Sequence, residues 1–190
     1  ADTMDRKPVF IFESQNTYGT KIQVLNYGGI IKSLQLQDRT GQQRDIVLGY
    51  DTLESYEKQD KYFGALIGRC ANRIGSSCFS MDGKAYSLTP NEGQNHLHGG
   101  VRGFDKKIWE ARLDGDKLEL KYTSADGEEG YPGELTVTVT YSLTEENELR
   151  IDYQAVTNRN TIVNLTNHSY FNLNGHDSGS ILGHSLKINS

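Results

Sequence analysis

Thr136-Val137-Thr138-Val139-Thr140-Tyr141-Ser142 is the cleanest structural signal in the chain, and it sets the fold class. The run alternates with a period of two and is rich in β-branched residues, which suits a pleated strand. The same period recurs on both sides of it. Residues 10–13, 21–25 and 30–37 carry it, the last two separated by Asn26-Tyr27-Gly28-Gly29. Residues 44–50 form a short run of buried type. Turn chemistry agrees. Asp82-Gly83 separates 78–81 from 84–88, and Asp114-Gly115-Asp116 separates 108–113 from 117–122. Asp-Gly supplies the positive φ that a tight hairpin needs. Glu145-Glu146-Asn147 joins 139–143 to 149–155 in the same way. Successive hairpins predict an antiparallel meander. The one helical signal is a single turn at 51–56, with Asp51 as cap and Glu54 reaching back. The whole predicts an all-β chain of short strands and polar loops.

Composition bounds the function. A chain of 190 residues is the size of one domain with a substantial core. It has no run of 18 apolar residues, so no membrane-spanning helix is expected. A net charge of −5 with no basic cluster argues against a nucleic-acid partner. Residues 1–7 are charged and carry no visible signal peptide. Cys70 and Cys78 are too few for a disulfide framework and lack CxxC spacing. They read as free thiols of a reducing compartment, so a cytoplasmic location is expected. Near the far end, Leu182, His184, Leu186 and Ile188 alternate like a strand with no closing element behind it.

Four polar segments interrupt the strands. In the first, 64–75, Arg69, Asn72 and Arg73 lie among small residues. An arginine there either binds hydroxyls or carboxylates or bridges strands structurally. In the second, 91–105, His96 and His98 would share a face of an extended segment. That suits a metal, but no third ligand stands out; one working and one structural histidine is the favoured alternative. Gly99 and Gly100 predict a sharp bend or a close approach to a ligand. The third, 126–133, is acidic and reads mostly as an exposed loop. The fourth, 162–173, would place Ile162, Asn164, Thr166, His168, Tyr170 and Asn172 on one strand face. Amides, hydroxyls, a phenol and an imidazole in a row suit a sugar, apolar on its faces and polar at its edges. The sequons at Asn164 and Asn167 read as coincidental.

Taken together, these segments resemble the aldose 1-epimerase (galactose mutarotase) family. The resemblance rests on Gly68-Arg69-Cys70-Ala71-Asn72-Arg73-Ile74, and on Asn95-His96-Leu97-His98-Gly99-Gly100 with Gly103-Phe104-Asp105 and Trp109. Glu129-Gly130-Tyr131-Pro132-Gly133 and Asn167-His168-Ser169-Tyr170-Phe171-Asn172-Leu173 complete it. It implies a galactose-mutarotase-like β-sandwich (supersandwich), largely antiparallel, with residues 1–190 as the N-terminal portion of a single domain. It implies interconversion of the α and β anomers of free aldohexoses such as galactose and glucose, without a metal or organic cofactor. It places Asn72 and Arg73 at sugar-binding positions, His98 at an active-site position and His168 as general acid. Ser169 and Tyr170 would line the same cleft.

The family's glutamate base and a sugar-binding aspartate lie nearer the C-terminus, and its members are longer than this chain. Glu128, Glu129 and Glu134 precede His168 and belong to another motif, so the base is expected in a C-terminal part absent here. A chain cut at that point would expose strand edges and a core face, and would be poorly soluble and inactive alone. The competing reading is a carbohydrate-binding or sugar-sensing protein that keeps the cleft without catalysis.

Overall fold

The computed structural model describes residues 8–58 and 60–189. The charged stretch 1–7, considered above for a signal peptide, lies outside the described residues. β1 (Ile11–Gln15), β2 (Lys21–Leu25), β3 (Ile31–Gln37) and β4 (Gln43–Asp45) form an antiparallel sheet in chain order. α1 (Leu53–Lys58) follows, then the short strands β5 (Leu66–Ile67), β6 (Arg73–Ile74), β7 (Cys78–Met81), β8 (Lys84–Ser87) and β9 (His96–Leu97). β10 (Glu110–Asp114), β11 (Lys117–Ser124), β12 (Leu135–Leu143) and β13 (Leu149–Thr157) form a second four-stranded sheet, again in chain order. β14 (Thr166–Asn167) returns to pair with β5.

The three predicted hairpins are present. Met81 opposes Lys84, Asp114 opposes Lys117, and Leu143 opposes Leu149. Asp82 and Gly83 have φ of 52° and 73°, the left-handed pair that a primed turn requires. The alternating run lies in β12, where Leu135, Val137, Val139 and Tyr141 are buried and the intervening threonines are half-buried. Those side chains join Ile22, Val24, Ile31 and Leu34 of the first sheet, and Leu118 and Leu120 of β11, in one hydrophobic cluster. Burying each such side chain is worth about 1.5–3 kcal/mol. Two sheets sharing one core make a β-sandwich. The Tyr141 hydroxyl links the layers by donating to the Gly29 carbonyl at 2.7 Å.

Three local expectations are corrected. The cap of α1 is Thr52, whose hydroxyl accepts from the Ser55 amide at 3.3 Å; Asp51 stands one residue too early to reach that amide. Glu54 pairs forward with Lys58 and does not reach back. Residues 182–188 form no strand, and Leu182 and Leu186 are 92% and 86% exposed. Alternation makes a strand only where a neighbour completes the ladder, and no described strand pairs with them. β13 is an edge strand with most of its residues exposed. No helix among the described residues is long and apolar enough to cross a membrane.

Candidate active site

Two short strand pairs bring distant motifs together. β14 lies antiparallel on β5, with Thr166 opposite Ile67 and Asn167 opposite Leu66. Past that pair, the His168 amide donates to the Ala65 carbonyl at 2.8 Å. The Asn167 side chain fixes the loop from both ends. Its Nδ2 donates to the Gly64 carbonyl at 2.9 Å, and its Oδ1 accepts from the Ser169 amide at 3.0 Å and hydroxyl at 2.6 Å. This is an Asx turn around His168, and it turns the Ser169 hydroxyl toward Asn167.

The second pair joins β6 to β9, with Arg73 opposite Leu97 and Ile74 opposite His96. Beyond it, the His98 amide donates to the Asn72 carbonyl at 3.1 Å, and the Asn72 amide donates to His98 Nδ1 at 2.9 Å. A backbone N–H can only donate, so Nδ1 is an acceptor and the neutral ring carries its proton on Nε2. Burial pushes the His98 titration down to about 4, helped by nearby His168 and Arg73 and opposed by Glu92. His98 is therefore a neutral Nε2–H donor at pH 7.

The rings of the site pack closely. His98 and His168 have centroids 5.1 Å apart at 84°. Tyr170 lies 5.1 Å from His168 and 5.1 Å from Phe63. Tyr62 touches both histidines, at 4.8 Å and 5.6 Å. The His168 imidazole makes only ring contacts among the described residues, so its nitrogens are open to a ligand. Arg73 is half-exposed beside them, its Nε donating to Glu92 Oε2 at 2.6 Å and its Nη2 to the other oxygen.

Packing separates residues that look equivalent in the sequence. His96 is fully buried. Its Nδ1 donates to the Thr89 carbonyl at 2.7 Å, and its Nε2 accepts from the Tyr131 hydroxyl at 2.7 Å. With both nitrogens engaged, it cannot share a metal with His98. Arg69, 2% exposed, is a strand-bridging arginine. It donates to the Ser124 hydroxyl and to the carbonyls of Ser124, Ala125 and Pro132 at 2.8–3.1 Å. Gly99 and Gly100 are close to protein atoms. A Cβ on Gly99 would lie 1.8 Å from the Gly68 carbonyl oxygen, and one on Gly100 would lie 2.3 Å from Glu129 Oε2.

Two further expectations are corrected. The acidic segment is not simply an exposed loop. The Glu129 carboxylate accepts from the Arg102 and Val101 amides at 2.8 and 3.3 Å, clamping the loop that follows His98. Glu128 accepts from the Tyr122 and Ser124 hydroxyls and pairs with Lys107. The polar row at 162–173 also breaks up: Thr166 and Asn167 form β14, while Asn164 and Phe171 make isolated bridges to Cys70 and Val47. Asn172 turns inward, 1% exposed, to Ser178 and Gly179. Asn167 stands in the sequence as a motif and sequon position, whereas Tyr62, Phe63 and Glu92 belong to the site's surroundings and carry no sequence motif of their own. The adjacent aromatics at Tyr62-Phe63, just before Gly64, are the one signal that could have found them.

The chain is similar to known proteins over most of its length. The family model described as aldose 1-epimerase matches residues 11–190. A galactose mutarotase from Bos taurus is 48% identical over 168 residues, covering 88% of this chain and 49% of that protein. An aldose 1-epimerase from Escherichia coli K12 is 38% identical over 185 residues, covering 97% of this chain and 53% of that protein. The solved structure of an aldose epimerase homologue from C. elegans superposes with a TM-score of 0.85 at 34% identity, covering 88% of this chain and 52% of that one. The chain spans about half the length of the curated relatives it matches. Sandwich, motif order and relatives agree, and the chain belongs to the aldose 1-epimerase family.

Proposed function

We propose that the protein carrying this chain interconverts the α and β anomers of free aldohexoses, galactose among them. One observation carries the reading: two imidazoles in perpendicular contact, one locked as a neutral donor and the other with its nitrogens open. On this reading residues 1–190 are part of one sandwich domain. His168 donates a proton to the ring oxygen as the C1–O5 bond breaks, while a base removes the proton of the C1 hydroxyl and C1 becomes a carbonyl. Rotation about C1–C2 and the reverse transfers close the ring on its other face. An imidazole suits this because it gives and recovers a proton near neutral pH. His98 Nε2–H, Asn72 and Arg73 hold sugar oxygens, and Tyr170 and Ser169 flank His168. Glu92 is tied to Arg73 and Glu129 to two backbone amides, so neither of them is free to serve as the base. The similarity to a galactose mutarotase and an aldose 1-epimerase supports the same reading.

Polarimetry of freshly dissolved α-D-galactose with the whole protein tests the proposal. Acceleration over buffer is expected, and its absence would sink the reading. His168→Ala should lower the rate by roughly 10²–10⁴-fold while the fold persists. A parental rate in that variant would remove His168 as the acid.

A further inference from the structure

We infer that Tyr62 is a positioning residue of this site: its ring is the wall that sets the angle between the two imidazoles and keeps water from His98. The inference rests on the reading of His98 and His168 as the pair that handles the sugar. Among the described residues, Tyr62 is the only ring in contact with both, edge-on to His98 at 72° and tilted to His168 at 38°. Tyr170, by comparison, touches His168 alone of the two.

The backbone shows that this placement is imposed. Tyr62 sits at φ 58°, a left-handed conformation that a bulky residue adopts only where its surroundings demand it. Asn72 and His98, at 66° and 53°, share that conformation, so three such residues meet in one cluster. The Tyr62 carbonyl accepts from the Ala65 amide at 3.1 Å, closing a turn that leads directly into β5. The same turn is held at Gly64, whose carbonyl accepts from Asn167 and whose amide donates to the His168 carbonyl at 3.3 Å. Tyr62 and His168 are thus carried by one hydrogen-bonded unit, and His98 is brought against them by β6 and β9.

Tyr62 is not itself a proton carrier. Burial, reinforced by Asp105, Glu92 and Asp60, raises its phenol above the ordinary range, so it stays neutral at working pH. Its contribution is the apolar body of the ring. In edge contact with that ring His98 remains a neutral donor, while Arg73 and Glu92 approach from the other elements.

The test uses three variants of the whole protein and two readouts: NMR titration of the histidine ring protons without sugar, and kcat and KM from polarimetry. Tyr62→Phe keeps the ring and should match the parent in both. Tyr62→Gly removes the ring at a φ that glycine adopts freely, so the backbone is preserved. Its His98 should titrate about one pH unit or more closer to the ordinary histidine value of ~6.5. Its kcat should fall about tenfold or more with a smaller change in KM, as expected when a group is misaligned rather than lost. Tyr62→Asn, which also tolerates this φ, should behave like the glycine variant and stands in if that one fails to fold. An unmoved His98 titration in the ring-deleted variants overturns the inference. So does a Tyr62→Phe loss equal to theirs, which would make the hydroxyl the working group. A parent with no mutarotation would refute the proposed function while leaving the titration arm to decide on Tyr62.

Discussion

Tyr131→Phe isolates the bond that distinguishes the two histidines. The Tyr131 hydroxyl and His96 Nε2 meet at 2.7 Å between side chains that are 1% and 0% exposed. Phenylalanine keeps the ring, including its edge contact to His96 at 5.2 Å and its place under Arg69 at 5.7 Å, and deletes only the donor. His96 Nδ1 remains committed to the Thr89 carbonyl, so the imidazole cannot turn to find another donor without losing that bond. Nε2 becomes a buried acceptor with no partner, at a cost of about 1–3 kcal/mol. Urea unfolding of the whole protein at pH 7.5 should show a lower midpoint with an unchanged slope. His96→Leu should cost a similar amount by stranding the Tyr131 hydroxyl. The double variant should lose less than the sum, with a coupling of about 1 kcal/mol or more. Burial lowers the His96 titration, so the unfolded chain takes up its proton first as pH falls below ~6.5. The parent therefore loses stability on acidification from that point, and His96→Leu lacks that portion of the loss. A Tyr131→Phe protein within about 0.5 kcal/mol of the parent, or strictly additive single variants, would refute the argument.

Two more outcomes follow from buried groups outside the site. The Asp105 carboxyl is 3% exposed, its Oδ1 has no hydrogen-bond partner, and burial raises its titration from 3.8 to about 6. Between those values the folded state holds a proton that the unfolded state has released, so stability falls as pH rises through the window. Asp105→Asn should therefore gain on the parent from pH ~4 upward, by about 3 kcal/mol above pH ~6. Urea midpoints across that range check it, and a pH-independent difference would contradict it. Arg69→Lys should destabilise by about 2–4 kcal/mol, because an ammonium cannot serve three carbonyls and a hydroxyl in the plane of the guanidinium fork. Thermal unfolding reads this directly, and a parental midpoint would show the fork to be dispensable.

The sequence by itself determined what depends on neighbours along the chain. The β-branched alternation of β12 marks a strand because each side chain's face follows from the residue before it. Asp82-Gly83 marks a hairpin because the turn's φ values are properties of those two residues. The four motifs identified the family for the same reason, since they are local strings in a fixed order. Tertiary structure decided what depends on partners far away. His96 and His98 are near-identical in local context, yet Tyr131, 35 residues on, takes the first, and Asn72, 26 residues back, orients the second. Arg69 and Arg73 divide likewise: one is buried among carbonyls from 124–132, the other stands at the surface with Glu92. Residues 182–188 alternate as well as any strand and form none, because a ladder's hydrogen bonds belong to two segments at once. The cluster of Tyr62, His98 and His168 is of that second kind. Its members lie 36 and 70 residues apart in sequence, and only the β5–β14 and β6–β9 pairings bring their ring centroids to within 4.8–5.6 Å of one another.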